Sequence, residues 1–76
     1  MTALNVHADL ATPGGAIRSL VEQVQAEYAE MPGLSVTLSQ AQRLWSVDQP
    51  TCAEAFNRLI ARGVLRMTIK GRFVRA

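Results

Sequence analysis

Two breaks, Pro13-Gly14-Gly15 and Pro32-Gly33, decide what this chain can fold into before any other property does. Proline removes a backbone donor and glycine admits left-handed backbone, so neither break continues a helix or a central strand. From Ala16 onwards, Ile17, Leu20, Val21, Val24, Tyr28 and Met31 fall at i, i+3, i+4, i+7, i+11 and i+14. That spacing predicts one face of an amphipathic helix ended by Pro32-Gly33, with Glu22, Gln23, Glu27 and Glu30 on the other face. Residues 1–15 show no sustained period and read as a flexible N-terminal arm. Leu4, Ala8 and Ala11 make one weak helical stripe there, suited to folding against a partner.

Beyond the second break, "LSVT" is apolar and β-branched at alternate positions and predicts one short strand. Thr37 is placed to cap a helix, because Gln40 follows three residues later and the two side chains can each satisfy the other's backbone donor. The second helix is expected from Leu38 to about Trp45, burying Leu38, Ala41, Leu44 and Trp45. After a tight "SVD" connection, the third helix opens at Asp48 or Gln49 and runs from about Pro50 to Arg62. Pro50 suits a first helical turn and Gly63 supplies a left-handed terminator. Cys52, Phe56, Leu59 and Ile60 fall on its inward side.

The chain ends in an expected hairpin. Leu65, Met67 and Ile69 alternate with Arg66, Thr68 and Lys70, the pattern of a half-buried strand. Lys70-Gly71 makes the turn and "RFVRA" returns. The expected class is therefore α+β, in the order helix, strand, helix, helix, strand, strand, with one domain over residues 16–76.

A chain of 76 residues holds one small core, and 49% apolar residues suffice to fill it. Cys52 is the single cysteine, which excludes an internal disulfide and a zinc cluster and favours a reducing, intracellular setting. His7 is the single histidine and sits in the arm, so Ser/His/Asp or Cys/His catalysis is not expected of the folded domain. No phosphate loop, acid pair or ligand cluster stands out, so no catalytic residue, metal or cofactor is expected. No signal-like segment and no membrane-spanning run is visible, so no membrane partner is expected.

Charge is divided unevenly. Residues 1–37 set Arg18 against Asp9, Glu22, Glu27 and Glu30, a net −3. Residues 38–76 set Arg43, Arg58, Arg62, Arg66, Lys70, Arg72 and Arg75 against Asp48 and Glu54, a net +5. A basic half on a small domain suits a polyanionic partner.

The stretch "TLSQAQRLWSVDQPTCAEAFNRLIARGVLRMTIKGRFVRA" resembles the winged helix-turn-helix family, and "AFNRLIARGVL" followed by a strand, a glycine turn and "RFVR" carries most of the likeness. The resemblance covers roughly residues 16–76 and is to small bacterial members. It implies a cytoplasmic DNA-binding module, a transcriptional regulator that lays its third helix in the major groove and grips phosphates with its wing. Carried over by position, Gln49, Pro50, Thr51, Ala53, Glu54, Asn57 and Arg58 face the groove. Arg66, Lys70 and Arg72 become wing contacts, and Arg43 lies on the second helix.

Gln49 and Asn57 can each present a donor and an acceptor together to adenine. The competing reading is a solvated surface. Ala53 and Glu54 depart from the arginine, lysine or serine that DNA-binding members often carry; Glu54 can accept from a cytosine amino group but is repelled by phosphate. Arg66 and Lys70 fall opposite Met67 and Ile69, placed either for phosphates or to protect an edge strand. Arg58 and Arg62 equally complement a helix dipole. Double-stranded DNA is the expected partner, bound by a homodimer formed through the first helix or the arm. The alternative is a protein-interaction domain acting as a scaffold in a larger assembly.

Overall fold

Local hydrogen bonding sets the ends of the second and third helices in the computed structural model, which describes residues 15–76. His7 and the Leu4, Ala8, Ala11 stripe lie outside the described residues. Helix α1 (Gly15–Glu30) buries Leu20, Val21, Val24 and Tyr28, with Ile17 packed beside them. It stops at Glu30 because Met31 precedes Pro32, whose ring disfavours helical backbone in the residue before it. Met31 therefore leaves the apolar stripe assigned to it and is 46% exposed.

The expected capping box is present: Thr37 Oγ1 accepts from Gln40 N at 3.2 Å, and Gln40 Oε1 accepts from Thr37 N at 2.9 Å. Helix α2 (Leu38–Trp45) buries Ala41 and packs Leu38 and Trp45 against the core. Leu44, expected inside, is 55% exposed. It lies about 100° round the helix from Trp45, off the narrow contact face that two turns provide. Ser46 then adopts left-handed backbone, φ 54° and ψ 51°, and its N–H donates to the Gln42 carbonyl, as does Val47 N at 3.0 Å.

Asp48 caps helix α3 (Gln49–Ala61), its Oδ2 accepting from Thr51 N at 3.4 Å, with Pro50 in the first turn. At the other end, Val64 N donates to Leu59 O at 2.9 Å and Gly63 N to Ile60 O at 3.0 Å. Gly63 sits at φ 76°, so this is the paired-bond stop that a left-handed glycine permits.

Strands β1 (Leu65–Met67) and β2 (Phe73–Arg75) pair antiparallel, Leu65 with Arg75, Arg66 with Val74 and Met67 with Phe73. The strand expected in "LSVT" is reduced to one bridge, Val36 to Phe73. The hairpin departs from the expected alternation. β1 ends at Met67, which is 54% exposed, and Ile69 is fully exposed. Alternation identified Leu65 and Met67 as one face, but no helix covers that face past Leu65. The turn is also wider than Lys70-Gly71: Thr68 N donates to Arg72 O at 2.7 Å and Gly71 N to Thr68 O at 2.9 Å. Ile69 and Lys70 are its central residues, and Gly71 follows at φ 78°.

The described residues thus form an α+β unit of three helices and a C-terminal two-stranded hairpin. Phe56 lies at its centre, 5.9 Å from the Trp45 ring and 4.6 Å from the Phe73 ring between centroids. Tyr28 is buried and donates its hydroxyl to the Phe73 carbonyl at 2.7 Å.

Three stability measurements follow from Tyr28 and Ser46. Tyr28→Phe removes a buried donor and is expected to cost about 1–2 kcal/mol in chemical denaturation. Burial pushes the Tyr28 hydroxyl up to about 12. The folded state holds that proton more tightly than the unfolded chain. The contribution is therefore complete below the ordinary value of 10.0 and is lost as pH rises towards about 12, a loss that Tyr28→Phe should not show. Ser46→Gly should raise stability by about 1 kcal/mol, because glycine adopts the left-handed turn without the Cβ penalty. Thermal melting checks it.

Candidate nucleic-acid interface

Helix α3 divides cleanly between two faces. Cys52, Ala55, Phe56 and Leu59 are wholly buried, which fixes the roll of the helix on the core. Burial pushes the Cys52 thiol up, helped by the nearby Asp48 charge, so it serves as a small buried hydrophobe and not as a thiolate. Ile60, assigned inward, packs partly buried against the same cluster.

The opposite arc is open. Gln49, Pro50, Glu54, Asn57 and Arg58 are exposed, while Thr51 and Ala53 are half-buried. At about 100° per residue the arc resolves into two strips. One carries Gln49, Ala53 and Asn57 at successive spacings of four; the other carries Thr51, Glu54 and Arg58. Gln49 and Asn57 are therefore brought to one strip. Thr51 points roughly 160° away from Gln49, and its backbone and side chain serve the Asp48 cap. Hydrogen bonding from Thr51 holds the Asp48 carboxyl below its ordinary value.

Glu54 and Arg58 engage each other. Arg58 Nε donates to Glu54 Oε2 at 3.2 Å, with both side chains close to half exposed. This i,i+4 pair offsets the one cation on the outer arc within the helix.

The remaining cations are spread over other elements. Arg43 is exposed in the last turn of α2, and Arg62 is exposed as the C-terminal cap of α3, where a cation complements the helix dipole. Arg66, on β1, is exposed and pairs in register with Val74. Lys70 is exposed at the hairpin turn. Arg72 is exposed but also structural: its backbone N donates to Thr68 Oγ1 at 3.1 Å, and Nη1 donates to Ser35 O at 3.3 Å. That second bond braces the hairpin against the α1–α2 connection. Its partners are 37 positions apart, and no local pattern announces it.

Among the described residues no group of three or more His, Cys, Asp or Glu could hold a metal ion. No described helix is long and apolar enough to cross a membrane. No protein-family model, curated protein or solved structure matches this chain.

Because the Glu54–Arg58 pair is exposed, Glu54→Gln should shift unfolding by less than about 0.5 kcal/mol. Denaturant titration checks this. A loss of several times that size would assign the pair a structural role.

Proposed function

We propose that the chain is a winged helix-turn-helix DNA-binding module, most simply a small bacterial transcriptional regulator working in the cytoplasm. On this reading α2 and α3 form the helix-turn-helix, α3 enters the major groove, and the β1–β2 hairpin is the wing. The observation that carries it is the layout of the C-terminal half. A helix capped at both ends turns a polar arc outwards, followed by a hairpin whose Arg66, Lys70 and Arg72 are all exposed. Gln49 and Asn57, on one strip, have the donor–acceptor pattern for adenine edges. Arg58 suits guanine, with Glu54 either holding the guanidinium or accepting from cytosine. Arg66, Lys70 and Arg43 supply charge for phosphates, which demand reach and sign but no sequence. A single unit makes few such contacts, so a homodimer through α1 or the N-terminal arm supplies useful affinity and leaves the basic half free.

A second reading has its own support. Exposed Leu44, Met67 and Ile69, with Glu54 on the outer arc, suit a protein-interaction domain inside a larger assembly.

Titrating a mixed-sequence duplex across a salt series separates the two. Binding should weaken with a log–log slope of about −0.9 per phosphate neutralised. Lys70→Gln should lower that slope by about one. Solution mass with and without duplex reports the dimer in the same sample. Absence of binding at low salt, with a protein partner that survives nuclease and high salt, would transfer the assignment to the second reading.

A further inference from the structure

Ile69 is fully exposed at the centre of the β1–β2 turn. The turn does not require it, since central turn positions are ordinarily filled by small or polar residues. Met67, more than half exposed, adds apolar surface two residues earlier, and cations surround the pair in sequence: Arg66 on the opposite face of β1, Lys70 beside Ile69, and Arg72 at the turn's exit. The hydrogen bond from Arg72 to Ser35 ties the base of the turn to the α1–α2 connection.

An exposed apolar tip whose neighbours in sequence are exposed cations complements a partner whose charged rim encloses stacked apolar planes. We propose that Ile69, backed by Met67, is a wedge that enters the minor groove of duplex DNA and parts two stacked base pairs, while Arg66 and Lys70 hold the flanking phosphates. The inference rests on the DNA-binding reading and adds a deformation of the duplex to it. The minor groove concentrates negative potential that attracts arginine and lysine, and apolar side chains inserted there kink the duplex at the step they open. Unstacking is offset by burying the isoleucine and by the added phosphate contacts. A lipid surface fits less well, because two apolar side chains on a turn fall short of what anchoring requires. A second copy meeting tip to tip across a two-fold axis would set like charges against each other.

The test uses the full chain and a duplex labelled with a dye at each end. Affinity is measured over a salt series, and energy transfer between the dyes reports bending. The parent protein should bend the duplex. Ile69→Ala should bind about tenfold more weakly at an unchanged salt slope and leave the duplex straight. Lys70→Gln should lower the slope by about one while keeping the bend. Salt-sensitive binding to a straight duplex, with Ile69→Ala equal to the parent, overturns the wedge and leaves the DNA-binding reading standing. Failure of every variant to bind duplex overturns both. Loss of capture by phosphatidylserine vesicles in Ile69→Ala, with duplex binding unchanged, assigns the tip to lipid instead.

Discussion

Phe73 is the point on which the described elements converge. Its carbonyl accepts the Tyr28 hydroxyl from α1 at 2.7 Å and Val36 N from the α1–α2 connection at 3.4 Å. Its own N–H donates to Val36 O at 2.7 Å, and its ring packs on Phe56 of α3, which in turn meets Trp45 of α2. One residue near the end of the chain thus joins both ends of the described fold. An unpaired carbonyl at the centre of so small a core would carry a full desolvation cost. The hairpin is held where Phe73 sits and loses its cover beyond it.

That arrangement separates stability from surface chemistry. The inward side of α3 is fully committed to Cys52, Ala55, Phe56 and Leu59, so its outer residues can vary with little effect on the core. Two end devices, the Asp48 cap and the Gly63 stop, hold the helix, and of the outer arc they engage Thr51. The turn through Ser46 accepts a left-handed, non-glycine residue to bring α2 and α3 together, a local strain that the packing of Trp45 and Val47 against the core offsets. The outer arc and the hairpin tip are consequently surfaces, among the described residues, whose residue choices folding does not explain.

What could be read from the sequence follows the range of the interaction. The Thr37–Gln40 box, the Asp48 and Pro50 start and the Gly63 stop act within one turn, and all were legible. Periodicity likewise identified the buried face of α1 and the Cys52–Phe56–Leu59 side of α3. It failed at Met31, where Pro32 ends the helix, at Leu44, which lies off the contact face, and at Met67 and Ile69, which outrun the layer that faces them. A period says which side chains share a face, but not how far the facing layer extends. Tyr28 to Phe73 and Arg72 to Ser35 join positions 45 and 37 apart, so no local signal encodes them. Of the candidate site, the exposure of Gln49, Asn57, Arg66 and Lys70 was legible, whereas the Glu54–Arg58 pair was not. Two residues four apart on a helix can pair, and only their rotamers decide whether they do.

The pairing changes how labour is divided on the proposed reading. With Arg58 offset by Glu54, the outer arc of α3 carries Gln49 and Asn57 and little net charge. Long-range attraction to a polyanion then falls to Arg43, Arg62 and above all the hairpin cations. Charge attracts at distances where hydrogen-bond donors cannot yet discriminate, and it acts on every sequence equally. A hairpin that supplies affinity and a near-neutral helix that supplies contact geometry would bind weakly to most duplexes and draw its selectivity from few positions. Dimerisation strengthens such a domain more than any single added contact, because it repeats both the charge and the reading at a fixed spacing. The acidic outer face of α1, with Glu22 and Glu30 exposed, suits a surface turned away from phosphate.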